Sequence, residues 1–454
     1  MKKRHLLPLL SFALFTACEK KDQTIVITAD DFHMEADKIT EIMIHDIFSP
    51  PVASRIFAYP NVAAYEIIAQ ANPEYSSLVG TVTDLEPIPP LEPSKNINPQ
   101  LAALIAHIDL SKSLIFSEHL MESYRDSLYT AWENINPLEF NASKAYALEV
   151  AAHITKWMSK DNYKQTRTMP KFTVMTDDAS RWQPTPPAYM DGIEPHWSKI
   201  RPFVIDSASQ FKPVPPPPFS MEEGSEFHTQ LKEIYDIGLR IKEEGDESEE
   251  LKMAQFWDCN PYVSVTYGHL MFATKKISPG AHWMGIAKIA CKKTNADVDR
   301  SIYAYTKTSL AIVDGFISCW DEKYRSNLIR PETLINQYMD ENWRPVLQTP
   351  PFPEYTSGHS VVSGAASVVL TNIFGDNFAF DDDTEVPYGL PVRSFTSFEN
   401  AAMEAAMSRM YGGIHYRAAV EVGIKQGRDL GNFVVDKLPK IQKDALATNS
   451  SNKQ

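Results

Sequence analysis

Two cations lie seven residues apart in the C-terminal half of the chain, Lys323 and Arg330, and Pro331 follows the second. This spacing predicts that they lie two turns apart on one face of a single helix, which Pro331 ends. A fixed ammonium beside a guanidinium suits an oxyanion, because arginine can hold two oxygens at once. The alternative is an ordinary solvated helix face, so this pair alone does not establish a site.

Ser357, Gly358 and His359 open a run of small residues that predicts a helix over 359–374. The start of a helix presents free backbone N–H groups at the positive end of its dipole, where an anion binds readily. The serine adds a hydroxyl donor, the glycine lets an anion approach the backbone, and the histidine lies where it could transfer a proton. The alternative is a serine N-cap with an uninvolved histidine.

A third segment contains Arg409 and His415, with Gly412 and Gly413 between them. Two glycines allow a break between helices, which would bring both side chains to one point. A single histidine beside an apolar helix is more often a core residue, and that alternative stays open for His415 by itself. Taken together, the three segments predict an oxyanion site built from three cations, two histidines and a helix start.

The order and spacing of these segments resemble the signature of the superfamily of vanadium-dependent haloperoxidases and type 2 phosphatidic acid phosphatases. That signature reads Lys, six residues, Arg-Pro; then Pro-Ser-Gly-His; then Ser-Arg, five residues, His. The chain differs in having Thr356 before the serine. The likeness to the haloperoxidase branch, especially its secreted bacterial members, extends over residues 35–436 and is strongest over 254–436. Outside the signature it includes Phe256 to Pro261, His282-Trp283, Trp320 and Pro351-Phe352-Pro353.

The resemblance implies a role for each of these residues. His415 would bind the vanadium of a vanadate cofactor, whose place phosphate can take, and neither haem nor NAD would be needed. His359 would take a proton from hydrogen peroxide, and Lys323 would polarise the bound peroxide so that a halide attacks it. The hypohalous acid formed would then halogenate a small organic substrate. The remaining roles are oxyanion binding by Lys323, Arg330, Ser357, Gly358 and Arg409, and support from Asp258 (which would position Lys323), Trp320 and Phe352. Three further residues are candidates for the pocket entrance, although a structural role is the alternative for each: Asp314, Asp321 and His269.

Two other functions remain open on the same residues. In an acid phosphatase of the superfamily, His415 would attack phosphorus to form a phosphohistidine, and His359 would protonate the leaving alcohol. In a simple oxyanion-binding protein there would be no turnover, although binding alone does not need His359. Vanadate and phosphate are nearly isosteric, so the sequence does not separate these chemistries.

One position departs from the haloperoxidase pattern. An acidic residue often lies four positions after the ligand histidine and orients its ring, but here Ala419 takes that place. Partners of this kind fix the tautomer of a ligand and raise its basicity, so their loss weakens metal binding. A backbone carbonyl or Glu421 is the expected substitute.

Helical periodicity dominates the rest of the chain and predicts an all-α helical bundle with long Pro-rich connections. The Pro-rich stretch 165–220 is expected to wrap over the helices, held by its aromatics, rather than to be a flexible linker. The acidic run 381–383 is expected to be a solvated loop. Predicted helices cover 34–48, 52–71, 99–116, 117–134, 141–159, 221–246, 248–258, 262–276, 282–293, 295–320, 331–340, 359–374, 397–411 and 414–436.

The two ends of the chain differ from this pattern. Residues 1–18 resemble a lipoprotein signal peptide with a lipidation site at Cys18, which predicts export and a lipid anchor on a bacterial membrane, on its periplasmic or cell-surface side. The predicted organisation continues with a tether (19–34), N-terminal helices with the wrapping segment (35–220), the C-terminal bundle that holds the site (221–440) and a disordered tail (441–454).

The overall charge and the cysteines limit what the chain can bind. A formal net charge of −14 argues against nucleic acid as a partner and makes local clusters of cations stand out. Cys259, Cys291 and Cys319 lack paired spacing, so neither a disulfide framework nor a zinc site is predicted. We expect contact with the membrane only through the lipid. Haloperoxidases of this kind often form homo-oligomers, but no segment specifies an interface.

Overall fold

The computed structural model describes residues 23–261, 264–267, 270–273 and 276–441. Helices dominate it, in agreement with the predicted all-α class. The elements in chain order are α1 (Ala29–His45), α2 (Pro50–Ala71), α3 (Pro99–Lys112), α4 (Glu118–Ile135), α5 (Pro137–Met158), α6 (Tyr163–Thr166), α7 (Glu226–Glu244), α8 (Glu249–Phe256), β1 (Ser264–Tyr267), β2 (Leu270–Ala273), α9 (Pro279–Lys293), α10 (Val298–Ser326), α11 (Pro331–Tyr338), α12 (Gly358–Phe374), β3 (Phe380–Asp382), β4 (Arg393–Phe395), α13 (Phe398–Tyr411) and α14 (Arg417–Lys437).

Helices α12 and α14 pack with their backbones in close approach, because glycines line the contact. A Cβ atom at Gly364 would lie 2.7 Å from the Ile424 carbonyl oxygen, and one at Gly431 would lie 2.8 Å from that of Ala365. Neither position accepts a larger side chain without moving a helix. This contact fixes the start of α12 relative to the start of α14, and the second and third signature segments therefore meet.

The long helix α10 runs through the centre of one continuous hydrophobic core, which includes buried residues of α2 and of α12. Asp314 on α10 is fully buried and accepts backbone N–H bonds from Phe203, Val204 and Ile205 at 2.8, 2.6 and 3.0 Å. These bonds hold the Pro-rich segment against the helix, and Trp182 and Trp197 of that segment are also buried. Asp314 therefore anchors the wrap and is not the pocket-entrance residue that its position in the sequence had suggested.

Several local expectations were wrong. The predicted helix 262–276 is instead the antiparallel pair β1–β2, and the acidic run 381–383 lies in and beside β3, which pairs with β4. Asp382 in that run is fully buried. The predicted tether is partly folded, since α1 begins at Ala29 and Ile25 is buried.

No helix in the described part of the chain is long and apolar enough to cross a membrane. Residues 1–22, including Cys18, and residues 442–454 lie outside the described residues, so the expectations for the signal peptide and for most of the tail stay predictions.

Candidate active site

Lys323 lies in the last turn of α10 and is fully buried. Its ammonium donates to the carbonyl oxygens of Pro353 and Glu354 at 3.1 and 3.0 Å and lies 5.0 Å from the centre of the Phe352 ring. Burial, and then the charge of Arg330, lower the pKa of Lys323 to about 7. The side chain is thus a desolvated cation that gains from a nearby anion.

Arg330 does not share a helix with Lys323, contrary to the expectation from their spacing. Helix α10 ends at Ser326, and Arg330 is the N-cap residue of α11. Its guanidinium donates from Nε to the Phe352 carbonyl at 3.0 Å and from Nη1 to the Ile414 carbonyl at 2.8 Å. The two cations therefore converge through a turn, and both are held by the 350–358 loop.

The N-terminus of α12 is built as the sequence predicted. Ser357 is its N-cap and its hydroxyl accepts from the Ser360 backbone at 3.3 Å. A Cβ atom added to Gly358 would lie 3.5 Å from the Trp320 ring and 4.0 Å from Lys323 Cε. These are ordinary van der Waals distances, so the fold itself does not require glycine here. The missing side chain instead leaves space between the Trp320 ring and the Lys323 ammonium for another group.

Arg409 and His415 are joined by the predicted break between helices. Gly413 has a φ of +77°, which glycine adopts without strain, and the Ile414 N–H reaches back to the Arg409 carbonyl at 3.2 Å. The Arg409 guanidinium is buried and donates from Nη1 to the Trp257 carbonyl at 2.7 Å. The turn thus brings Arg409 and His415 to the same cleft, as the spacing suggested.

The ring of His415 is oriented by Glu354. His415 Nδ1 lies 2.8 Å from Glu354 Oε1, which also accepts from the Tyr416 backbone N–H at 2.9 Å. The opposite ring nitrogen, Nε2, lies 3.1 Å from Arg330 Nη1. Arginine only donates, so Nε2 carries the lone pair and Nδ1 carries the proton.

The expected substitutes for the missing acid at position 419 are therefore not used. Glu421 is exposed and pairs with Arg417 on the surface. Sequence reasoning missed Glu354, although a lone acid in the Pro-rich loop 350–358 was a signal that could have pointed to it. Burial raises the pKa of Glu354 to about 7, against the opposing effect of Arg330 and Lys323.

Burial disfavours the charged form of both histidines of the site. Burial, followed by nearby arginines, lowers the pKa of His359 and of His415 well below the usual value. His359 Nε2 has no hydrogen-bond partner within the described residues, and the same holds for Arg330 Nη2 and Arg409 Nε. Arg330 and Arg409 thus offer unpaired N–H groups, and the two imidazoles offer ring nitrogens, all near the start of α12. This arrangement fits a tetrahedral oxyanion such as vanadate.

The cleft itself has a mostly apolar wall. Trp320 and Phe352 pack 5.0 Å apart and form one side of it. The other lining residues are Pro50, Cys259, Asn260, Pro279, Phe316, Pro350, Gly358, His359, Arg409, Ile414 and His415.

The acidic residues expected near the cleft lie elsewhere. Asp258 pairs with Lys276, so it does not position Lys323 as the resemblance implied. Asp321 pairs with Arg325 on α10. His269, a further expected entrance residue, lies outside the described residues.

A mostly helical fold that surrounds a buried oxyanion site with two buried histidines is typical of enzymes that handle phosphate-like ions. Residues 304–444 match the family model of the second helical-bundle domain of vanadium chloroperoxidases. A solved structure described as the first bacterial vanadium-dependent iodoperoxidase is 69% identical, covers 93% of this chain and 99% of its own, and superposes with a TM-score of 0.90. The chain belongs to the vanadium-dependent haloperoxidase family.

More distant structures share the fold. The apo and holo forms of a bacterial vanadium-dependent chloroperoxidase are 16% and 17% identical to the chain, with TM-scores of 0.66 and 0.64. They cover 87% and 88% of this chain and 94% and 93% of their own. None of the curated proteins compared with the chain matches it significantly.

Proposed function

We propose that the chain oxidises iodide with hydrogen peroxide at a vanadate held by His415. The observation that carries this proposal is the oriented imidazole of His415, with Nδ1 on Glu354 and the lone pair of Nε2 directed to the side of the ring where Arg330 Nη1 lies 3.1 Å away. Vanadate supplies a Lewis acid that activates peroxide toward a halide without changing its own oxidation state.

Some of the surrounding residues would bind the oxyanion, and one would transfer a proton. Arg330, Arg409 and Lys323 balance the charge of the oxyanion, and the Ser357 hydroxyl and the Gly358 backbone N–H donate to it. His359 Nε2 is unpaired within the described structure, and burial lowers the pKa of the ring, so this nitrogen is placed to accept a proton from peroxide. Lys323, held against the Phe352 ring, places positive charge where the peroxide is polarised.

The choice of iodide has two supports. The relative at 69% identity is an iodoperoxidase, and it aligns over nearly the whole chain. The wall formed by Trp320 and Phe352 is apolar, and an anion must shed water to approach it. Iodide is the largest and most weakly hydrated of the common halides and the easiest to oxidise, so it suits such a wall best.

Halide competition in one preparation tests the proposal. The chain is loaded with vanadate and given hydrogen peroxide with iodide, bromide or chloride at equal concentration, and halogenation of a phenolic dye is followed. Iodide turnover that exceeds bromide turnover, and that His415→Ala abolishes, would support it. Faster bromide turnover would overturn the halide assignment, and phosphate-ester hydrolysis without any halogenation would overturn the peroxidase reaction.

We also propose that the chain is exported and anchored by a lipid on Cys18. The support is the basic start, the short apolar run and the small residues before this cysteine. Metabolic labelling with a radioactive fatty acid should mark the full chain and should not mark Cys18→Ser. Assembly into a homo-oligomer, which the family resemblance suggests, is measured by light scattering on the same protein.

A further inference from the structure

A second group of metal-binding side chains adjoins the cleft, and one of them, Cys259, also lines it. Cys259 follows α8, His282 lies on α9 and Glu385 lies between β3 and β4. All three are buried, with exposed fractions of 1%, 0% and 5%. Their donor atoms Sγ, Nδ1 and an Oε all lie within 4.8 Å of one another. The residues are distant in sequence, so spacing could not reveal the group.

Two of the three separations are close to the edges of a tetrahedral metal site, and the third is slightly longer. Cys259 Sγ lies 3.5 Å from His282 Nδ1, His282 Nδ1 lies 3.3 Å from Glu385 Oε1, and Cys259 Sγ lies 3.9 Å from Glu385 Oε1. Tetrahedral zinc, with bonds of about 2.3 Å to sulfur and about 2.0–2.2 Å to nitrogen or oxygen, sets such edges at roughly 3.4–3.6 Å. The two separations from His282 are thus close to these edges, and the 3.9 Å between Cys259 and Glu385 would have to shorten by about 0.3 Å when an ion binds.

The outer contacts of His282 are also those of a metal ligand. Its other ring nitrogen, Nε2, lies 2.9 Å from Asp382 Oδ2 and 2.8 Å from Thr384 Oγ1. A carboxylate on the far nitrogen fixes the tautomer and leaves Nδ1 as the donor toward the ion. Trp257 stacks on the ring at 4.4 Å and excludes water from that face.

We propose that Cys259, His282 and Glu385 bind a divalent transition-metal ion of the zinc type, with Asp382 orienting His282. Thiolate, imidazole and carboxylate together favour zinc over magnesium or calcium, which prefer oxygen alone. The ion would tie α8, α9 and the β3–β4 connection together. Cys259 itself lines the cleft, and the carbonyl of nearby Trp257 accepts the Arg409 guanidinium. The role is therefore structural support of one cleft wall.

Cobalt serves as the spectroscopic probe of the site. The full chain, freed of metal with a chelator and without vanadate, is titrated with Co²⁺ and its absorption recorded. We expect saturation at one ion per chain, a thiolate-to-cobalt band in the near ultraviolet and, with a water molecule as the fourth ligand, strong visible bands of four-coordinate cobalt. Zinc should displace the cobalt and raise the thermal unfolding temperature relative to the metal-free chain.

Variants assign the ligands. Cys259→Ala should remove the thiolate band, and Glu385→Gln should weaken cobalt binding by about tenfold or more. Cys291→Ala, a buried cysteine on the same helix as His282, is the matched control and should keep the whole spectrum. His415→Ala should also keep it, which separates this site from the vanadate site. A wild-type chain that binds no cobalt, or binds it without a thiolate band, would overturn the proposal, and that result needs no variant.

Discussion

Glu354 Oε1 lies 2.8 Å from Nδ1 of His415, and this carboxylate arrives from the loop before α12 rather than from α14, which His415 precedes. The same oxygen binds the Tyr416 backbone N–H, so the start of α14 and the ring of His415 are held by one group. The contact orients the ring without an acid at position 419.

Replacing Glu354 should weaken vanadate binding. Glu354→Gln keeps the shape but removes the charge that Glu354 carries above its pKa of about 7 and that holds the His415 proton on Nδ1, so above that pH we expect vanadate affinity to fall by about 10- to 100-fold. Titration of the metal-free chain with vanadate, followed by calorimetry, measures this. Glu421→Gln, which alters only a surface pair, is the control. Equal losses in the two variants would show that Glu354 has no special role.

Replacing His359 should affect turnover more than binding. His359→Ala removes the unpaired Nε2, and we expect kcat to fall by about 10²- to 10⁴-fold while vanadate affinity changes little. Steady-state iodide oxidation at saturating vanadate gives kcat. The exposed His119→Ala should match the wild type. A loss confined to vanadate affinity would assign His359 to binding instead of proton transfer.

The charge of Lys323 should make vanadate binding depend on pH. Its pKa is lowered to about 7, so Lys323 is protonated below that pH and loses its positive charge as the pH rises through it. Affinity should therefore fall between about pH 6 and about pH 9 more steeply than the ionisation of vanadate requires. The Lys323→Arg protein is the reference, because arginine stays charged over this pH range. Any change in its affinity therefore comes from the ionisation of vanadate and not of residue 323. Parallel affinity curves for the two proteins would contradict this expectation.

Gly358→Ala should fold but bind vanadate poorly. The added Cβ meets Trp320 at an ordinary 3.5 Å, yet it occupies the space between that ring and Lys323. Thermal unfolding should be near wild type, while calorimetric affinity for vanadate should drop. Gly315→Ala, whose Cβ would meet nothing closer than 3.9 Å inside α10, should leave both values unchanged. A large loss of stability in Gly358→Ala would mean that glycine serves the fold.

Local sequence determined the helices and the cluster of functional residues. Apolar spacing indicated most of the helices, and the types and order of Lys323, Arg330, Ser357, Arg409 and His415 indicated an oxyanion site, because these signals act within a few residues. The glycines before His415 also predicted the turn, since a positive φ at Gly413 follows from residue type. Even so, the order of the segments did not show that Lys323 and Arg330 lie on different elements.

Only the tertiary structure decided which partner each functional group meets. Glu354 reaches His415 across 61 positions, and Asp382 reaches His282 across 100. Asp258 pairs with Lys276 although the resemblance assigned it to Lys323. Buried charges take the partner that packing brings within hydrogen-bond distance, and packing depends on contacts across the whole chain. The sequence therefore determined the chemistry available at the site, and the fold determined how it is oriented.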